Sequence, residues 1–343
     1  MMRLPWFGFH APKTIAEAAN ILAAEGPRAM LLAGGSDLLP NMKRRHQTPG
    51  ILVSLRQVEA LKKVANGTGP DGEMTLGAGL TLNEIVANAT VRDQYTALYQ
   101  AAAQVATVHL RNMGTLGGNL CLDTRCNYYN QNYEWRKAID FCLKKDGGIC
   151  WVATASKRCV AASSTDTAPA LIALGATVRL VSARGERDVA LADLYRNDGI
   201  DYLTRRPDEI LTGVMLPAAA GWNSTYWKLR RRGAFDFPVL GVAAAVKTAP
   251  DGTVEDARIA LGAVSSRPLA TKAGELLVGR KLTDEVIAEA ARKTAAAAKP
   301  MDNTDFDTYW RKDVVAEFAV CALREIRGDD VSATRLRIAR HAL

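Results

Sequence analysis

The sequence predicts an α+β protein of two domains. Short helical and strand-like segments alternate over the first part of the chain, a polar stretch at 221–224 precedes a second α+β part, and a cysteine- and aromatic-rich segment interrupts the first. A length of 343 residues, 48% of them hydrophobic and 23% charged, is typical of a globular chain. We therefore place a first domain at 1–222, with parts at 1–56 and 57–222, and a smaller second domain at 223–343.

The first domain is predicted from alternating helix and strand signals. Capping-box patterns at 14–17 and 81–84 mark the starts of two helices, the first alanine-rich and ending near Gly26. A third helix is led by Pro169. Short apolar runs, of the kind that form buried strands, lie at 29–33, 51–55, 74–78 and 176–181.

The second domain reads as strands followed by helices. A strand is predicted at 239–248, a turn at 250–252 and a second strand at 257–264. An alanine-rich helix at 284–299 and an amphipathic helix at 309–327 follow. Strands and helices that are segregated along the chain in this way indicate an α+β domain.

Composition and charge exclude several classes of function. No apolar run approaches the roughly 18 to 20 residues that span a bilayer, and the N-terminus lacks the apolar stretch of a secretory signal, so we expect a cytoplasmic protein without a membrane partner. The net charge is +8, but the basic runs at 43–45 and 230–232 are short and lack interleaved aromatics, so we expect no nucleic-acid partner. The four histidines are scattered and no nucleophile set is recognisable, so we expect no catalytic residue in this chain.

Two glycine-rich loops are candidate phosphate-binding sites. The first, at 33–37, follows a predicted strand, and the second spans 114–119. Glycines let backbone N–H groups approach phosphate oxygens closely, and Ser36 and Thr115 add hydroxyl donors. A β-branched residue at Gly35 or Gly118 would block that approach. Neither loop matches a known dinucleotide or triphosphate motif, and each alone is equally compatible with a tight structural turn.

Four of the six cysteines lie within 34 residues, in a segment at 122–162 that lacks clear periodicity. A long irregular stretch inside a compact domain is uncommon unless something functional holds it together. Because disulfides are rare in a reducing cytoplasm, a local group of thiols indicates a metal or redox site. The four residues are Cys126, Cys142, Cys150 and Cys159.

Three motifs occur in order along the chain: LLAGGSDLLPNMK at 31–43, RNMGTLGGNL at 111–120 and SSTDTAPALIALGA at 163–176. Together they resemble the flavin-binding subunits of the molybdenum hydroxylase, or xanthine dehydrogenase, family. Later matches at 208–211, 260–264 and 300–302 extend the resemblance over nearly the whole chain. The resemblance implies a two-part, PCMH-like FAD-binding domain followed by a C-terminal domain of the CO dehydrogenase flavoprotein type.

The resemblance also implies which residues would bind FAD. The loop at 33–39 would hold the pyrophosphate, Asp166 would hydrogen-bond cofactor hydroxyls, and Leu211 and Lys228 would lie near the flavin ring, where a lysine charge stabilises a reduced anionic flavin. The full set is Leu32, Ala33, Gly34, Gly35, Ser36, Asp37, Leu38, Leu39, Asn112, Gly114, Thr115, Leu116, Gly117, Gly118, Asn119, Asn127, Asp166, Leu211 and Lys228.

The segment at 122–162 is longer here than in most of that family. Its cysteine spacing and the run CLDTRCNYYNQ at 121–131 resemble the β subunits of 4-hydroxybenzoyl-CoA reductases, which carry a 4Fe-4S cluster. The resemblance implies that the four grouped cysteines are the ligands, one thiolate per iron. A zinc site is the alternative, although only Cys121 and Cys126 have the close spacing of zinc ligands; unliganded structural thiols are a third reading.

Basic residues outnumber acidic ones seven to four in this segment. We expect this surplus to offset the negative charge of a cluster or to steer an acidic electron carrier.

The resemblance implies an electron-transfer subunit with FAD and a 4Fe-4S cluster. It would work with a molybdenum-binding large subunit and a 2Fe-2S small subunit, in a dimer of heterotrimers. The implied reaction is reductive dehydroxylation of 4-hydroxybenzoyl-CoA to benzoyl-CoA, with a ferredoxin-like carrier as donor. Three alternatives stay open: a molybdenum hydroxylase that oxidises another aromatic or heterocyclic substrate, a stand-alone flavin oxidase, and a non-enzymatic zinc- and nucleotide-binding module.

Overall fold

The computed structural model describes residues 3–66 and 72–339. Its strands are β1 Gly8–His10, β2 Ala29–Leu32, β3 Ile51–Ser54, β4 Val64–Ala65, β5 Met74–Gly77, β6 Thr177–Ser182, β7 Gly185–Ala190, β8 Ile210–Leu216, β9 Trp222–Leu229, β10 Leu240–Thr248, β11 Val254–Gly262 and β12 Leu269–Thr271. Its helices are α1 Ile15–Glu25, α2 Leu38–Lys43, α3 Leu82–Ala87, α4 Ala89–Gln94, α5 Thr96–Ala103, α6 Val108–Arg111, α7 Leu116–Leu120, α8 Tyr133–Ala138, α9 Thr167–Ala173, α10 Asp284–Ala297, α11 Thr308–Arg327 and α12 Ser332–Ala339. Within the described ranges, no helix is long and apolar enough to cross a membrane.

A small parallel sheet forms the first layer. Its strand order is β1–β3–β2, and both strand pairs are parallel. Because parallel strands need a crossover, α1 connects β1 to β2 and buries Ala18, Ala19 and Leu22 against the sheet. Thr14 caps α1 by accepting from the Glu17 N–H, but the Glu17 carboxylate accepts from the N–H of residue 13, so the predicted capping box is only half formed.

The second sheet has five antiparallel strands in the order β4–β5–β8–β6–β7. Buried side chains from α3, α5, α7 and α9 share one hydrophobic core with it. The capping box at Thr81 is complete, because Thr81 and Glu84 each accept a backbone N–H from the other. Helix α9 begins at Thr167, two residues before Pro169, which corrects the predicted start.

The third sheet is antiparallel, in the order β12–β11–β10–β9, and it packs against α10 and α11. Trp227 on β9 meets Phe318 on α11 edge to face, with ring centroids 6.2 Å apart. The strand predicted at 257–264 begins three residues earlier, at Val254. The domain division at 222/223 falls at the start of β9 and stays a prediction.

The cysteine-rich segment lies between α7 and α9. Its residues, 122–162, are all described and contain one helix, the six-residue α8. The C-terminal domain contacts this segment through Asn303, whose carbonyl accepts from the Asn127 N–H at 2.8 Å and whose amide donates to the Val160 carbonyl at 2.5 Å. The segment is therefore held from outside, at points next to Cys126 and Cys159.

Candidate functional site

The two glycine-rich loops lie side by side in the structure. The first connects β2 to α2, and the second leads into α7. A Cβ atom on Gly34 would lie 1.7 Å from the carbonyl oxygen of Met113, immediately before the second loop. Glycine therefore allows the two backbones to approach this closely, and any side chain would separate them.

Hydrogen bonds fix the second loop to its surroundings. The Gly117 N–H donates to the Ala78 carbonyl at 2.8 Å, and Thr115 caps α7 by accepting from the Gly118 N–H at 3.0 Å. Asn119 Oδ1 accepts from two threonine hydroxyls next to the start of α9, at 2.8 and 2.7 Å. These contacts hold the loop in place without a ligand.

A cleft of about 960 Å³ runs along both loops. This volume is in the range of binding sites for small molecules and cofactors. Most of the implied cofactor-binding residues line it: Ala33, Gly34, Gly35, Ser36, Asp37, Leu38, Asn112, Gly114, Thr115, Gly117, Gly118, Asn119, Asp166 and Leu211. Five do not: Leu32, Leu39, Leu116, Asn127 and Lys228.

Lys228 lies behind the wall of the cleft. Its side chain is fully buried, forms an ion pair with Asp166 at 3.0 Å and donates to the Gln104 carbonyl at 3.0 Å. Tyr226 donates its hydroxyl to the other oxygen of Asp166 at 2.8 Å. Burial raises the pKa of Asp166 and lowers the pKa of Lys228, so each group depends on its partner to stay charged.

Other residues of the cleft wall were not implied by the sequence. Asp123 and Arg125, from the cysteine-rich segment, line it together with Phe237. Arg125 is 4% exposed; it pairs with Asp37 of the first loop and lies over the Phe237 ring at 4.7 Å. Arg125 stands directly before Cys126, a predicted metal ligand, and this position is the only signal for it in the sequence.

Comparison with known proteins identifies this arrangement. Residues 5–219 match the family described as the FAD binding domain in molybdopterin dehydrogenase, and residues 224–326 match the CO dehydrogenase flavoprotein C-terminal domain. The chain is an FAD-binding subunit of the molybdenum hydroxylase family. This assignment confirms the predicted α+β fold class with its FAD-binding and CO dehydrogenase-type parts, and it makes the flavin subunit part of an oxidoreductase.

Individual relatives agree with the family assignment. The flavin subunit is 31% identical over 307 residues to the aldehyde oxidoreductase FAD-binding subunit of Escherichia coli K12, covering 84% of this chain and 92% of the relative. It is 29% identical to the nicotinate dehydrogenase FAD-subunit of Eubacterium barkeri, with 82% of each chain covered. Among solved structures, CO dehydrogenase from Oligotropha carboxidovorans superposes with a TM-score of 0.78 at 25% identity, over 95% of this chain and 99% of the other.

The grouped cysteines of the flavin subunit come together in one buried region. Cys126, Cys142 and Cys159 share a small hydrophobic cluster with Tyr129, and each of the four thiols, Cys150 included, is at most 7% exposed. Burial raises the pKa of the Cys126 thiol to about 12 and that of Cys159 to about 11. In the described residues, no three or more His, Cys, Asp or Glu side chains form a group that could hold a metal ion.

Cys121 belongs to the flavin cleft and not to this thiol cluster. It caps the C-terminal end of α7 and lines the cleft. Cys321 packs against the core of the C-terminal domain.

Most of the net positive charge of the cysteine-rich segment is buried. Arg125, Arg136 and Lys144 have side chains that are 5%, 1% and 6% exposed. The surface of the segment keeps four basic residues, Lys137, Lys145, Lys157 and Arg158, and three acidic ones, Glu134, Asp140 and Asp146. Most of the net positive charge therefore lies inside the fold, beside the thiols and the cleft. Little of it is left at the surface to attract an acidic electron carrier.

Proposed function

We propose that this flavin subunit carries electrons through FAD and a 4Fe-4S cluster within a molybdenum-containing oxidoreductase complex. Its partners would be a molybdenum-binding large subunit and a 2Fe-2S small subunit, arranged as a dimer of heterotrimers in the cytoplasm. The observation that carries the proposal is the burial of four thiols in a segment that also supplies Asp123 and Arg125 to the wall of the FAD cleft.

The cleft fits FAD. Backbone N–H groups of the two glycine loops, together with Ser36 and Thr115, would hold the pyrophosphate, because glycine lets phosphate oxygens approach the backbone. Asp166 would accept hydrogen bonds from cofactor hydroxyls, and Leu211 would pack near the flavin ring. The buried Lys228 would act through Asp166, since Asp166 separates it from the cleft. Bound FAD exchanges electrons with donors that supply either one or two.

The four buried thiols of the cysteine-rich segment match the donor set of a cubane, which takes one thiolate per iron. A cubane bound by four thiolates is anionic. Two buried cations belong to the same segment: the side chains of Arg125 and Arg136 are 5% and 1% exposed. Their positive charges would help to offset an anionic cluster held by Cys126, Cys142, Cys150 and Cys159.

We propose that the complex oxidises its substrate and that electrons leave through this subunit. The nicotinate dehydrogenase and CO dehydrogenase relatives support that direction by their names. Neither is named for reduction of 4-hydroxybenzoyl-CoA, so reductive dehydroxylation with a ferredoxin-like donor is the weaker candidate. The substrate of the complex would then be an aldehyde, or an aromatic or heterocyclic compound, bound in the large subunit.

The direction of electron flow can be tested on the purified complex. We expect anaerobic addition of an aromatic aldehyde or an N-heterocycle to bleach the flavin absorbance, and a complex with the FAD-deficient Gly34→Val subunit to show no such bleaching. We expect no benzoyl-CoA from 4-hydroxybenzoyl-CoA and reduced ferredoxin. Formation of benzoyl-CoA, with no bleaching by the oxidisable compounds, would reverse the assignment. Recovery of the subunit alone, with zinc and no FAD, would support the binding-module alternative.

A further inference from the structure

A buried ion pair lies within the cysteine-rich segment. Lys144 Nζ lies 2.8 Å from Asp123 Oδ1, and the two side chains are 6% and 4% exposed. Lys144 also donates to the Thr124 hydroxyl at 2.8 Å and to the Gly199 carbonyl at 2.5 Å. All three ammonium donors therefore have acceptors, so the charge is fixed in position.

The two charges of this pair differ in their exposure to the flavin cleft. Asp123 lines the cleft and Lys144 does not, although the Lys144 ammonium lies 5.5 Å from the ring of Tyr202, a residue of the cleft wall. On the other side the ammonium lies 4.7 Å from the ring of Tyr129, which packs against Cys126, Cys142 and Cys159. Lys144 is also linked to the thiols through Gly199, whose carbonyl accepts from Lys144 and whose Cβ, if it had one, would lie 2.7 Å from Cys159 Sγ.

The surroundings do not cancel this dipole. Arg125, a buried cation of the cleft wall, is already paired with Asp37. The Tyr129 hydroxyl donates to Asp123 Oδ2 at 2.8 Å, and Gln47 donates to the same oxygen at 3.4 Å, both neutral groups. Inside a protein the low effective dielectric lets such fixed charges act over longer distances than at the surface.

We propose that the Asp123–Lys144 pair sets the relative reduction potentials of the two redox centres, an inference that rests on the proposed function. The positive end, beside the thiols, stabilises an added electron on the cluster. The negative end, at the cleft wall, destabilises an added electron on the flavin. The pair therefore favours electron flow from flavin to cluster, which makes the cluster the exit side of this subunit.

The test is a redox titration of both centres in the purified complex, after iron, sulfide and FAD have been measured. In the double variant Asp123→Asn with Lys144→Gln, which removes the dipole without changing the net charge, we expect the cluster potential to fall and the flavin potential to rise. The equilibrium constant for electron transfer between the two centres should change at least tenfold, about 59 mV for one electron. Lys145→Gln, at the half-buried neighbouring lysine, is the matched control and should move neither potential.

Opposite shifts are the decisive result, because lost packing alone would not move two centres in opposite directions. Unchanged potentials, or shifts of the same sign, in a double variant with native iron, sulfide and FAD would overturn the inference and leave the proposed function standing. If the double variant loses its iron, the single variant Asp123→Asn decides: its flavin potential must rise. A native complex without iron and sulfide in this subunit would instead overturn the proposed function itself.

Discussion

The flavin cleft and the cysteine-rich segment differ in what holds each of them in place. The cleft loops are fixed by backbone hydrogen bonds, side-chain caps and a direct contact between their backbones at Gly34. The cysteine-rich segment has one short helix and is held from outside by contacts such as those of Asn303. Local contacts thus fix the cleft loops, whereas we expect the segment to depend more on the group it holds.

The largest effect is expected from a side chain at the contact between the two loops. Gly34→Val should deplete FAD at least tenfold, because its Cβ would lie 1.7 Å from the Met113 carbonyl and the backbones would have to separate. FAD released from the denatured subunit measures the loss. Gly50→Ala, whose Cβ would meet its nearest neighbour at 3.7 Å, is the control and should retain FAD. Full FAD occupancy in Gly34→Val would mean that the loop contact does not shape the site.

Adjacent glycines offer the equivalent test in the cysteine-rich segment. A Cβ on Gly147 would lie 2.6 Å from the Cys142 nitrogen, whereas one on Gly148 would have no neighbour within 4 Å. We therefore expect Gly147→Ala to displace Cys142 and lower the iron content severalfold, with FAD less affected. Gly148→Ala should have native iron. Equal iron in the two variants would show that the turn before Cys150 does not position the thiols.

The sequence predicts the flavin site better than it predicts the contacts that join its parts. Glycines after a strand and before a helix are local signals, so both loops and most of the cleft residues could be named in advance. The contact of Gly34 with Met113 joins positions 79 residues apart, and the two residues carry no local signal for it. The sequence offers Gly35 and Gly118 as positions for a blocking substitution, which stay predictions, and the structure adds Gly34, whose Cβ would overlap the Met113 carbonyl.

The burial of charged side chains is the second feature that the sequence predicts incompletely. A surplus of basic residues in 122–162 was visible, but burial of Arg125, Arg136 and Lys144 depends on tertiary packing that composition does not encode. The place of Lys228 relative to the cleft also depends on tertiary packing. Its position in a motif implied a place near the flavin, and the structure puts Asp166 between it and the cleft.

A smaller, pH-dependent effect is expected at His46, which stacks on Tyr129 with ring centroids 4.2 Å apart. Burial, helped by the charges of Arg136 and Arg44, lowers the His46 pKa to about 4. The unfolded chain takes up a proton on this histidine near pH 6.5, and the folded chain does so only near pH 4. The contribution of the neutral histidine to the free energy of unfolding is therefore fully present above pH 6.5 and is lost as the pH falls to about 4. The variant His46→Phe keeps the ring stacking on Tyr129. It should reduce the loss of unfolding free energy on acidification by about 2 kcal/mol.

The measurement is the melting temperature between pH 7 and pH 4.5 for the native and variant subunits. The curve for His46→Phe should fall less steeply on the acid side. Parallel curves would show that this histidine is protonated as easily in the folded chain as in the unfolded one.

The central claim is that Cys126, Cys142, Cys150 and Cys159 hold a 4Fe-4S cluster beside a preformed FAD site. Iron and acid-labile sulfide per subunit, measured in Cys126→Ser and Cys121→Ser, test it most directly. We predict that Cys121→Ser keeps about four irons and four sulfides, whereas Cys126→Ser loses most of both and retains FAD. Retained iron in Cys126→Ser with loss in Cys121→Ser would contradict the ligand assignment, and stoichiometric zinc without sulfide in the native subunit would contradict the cluster.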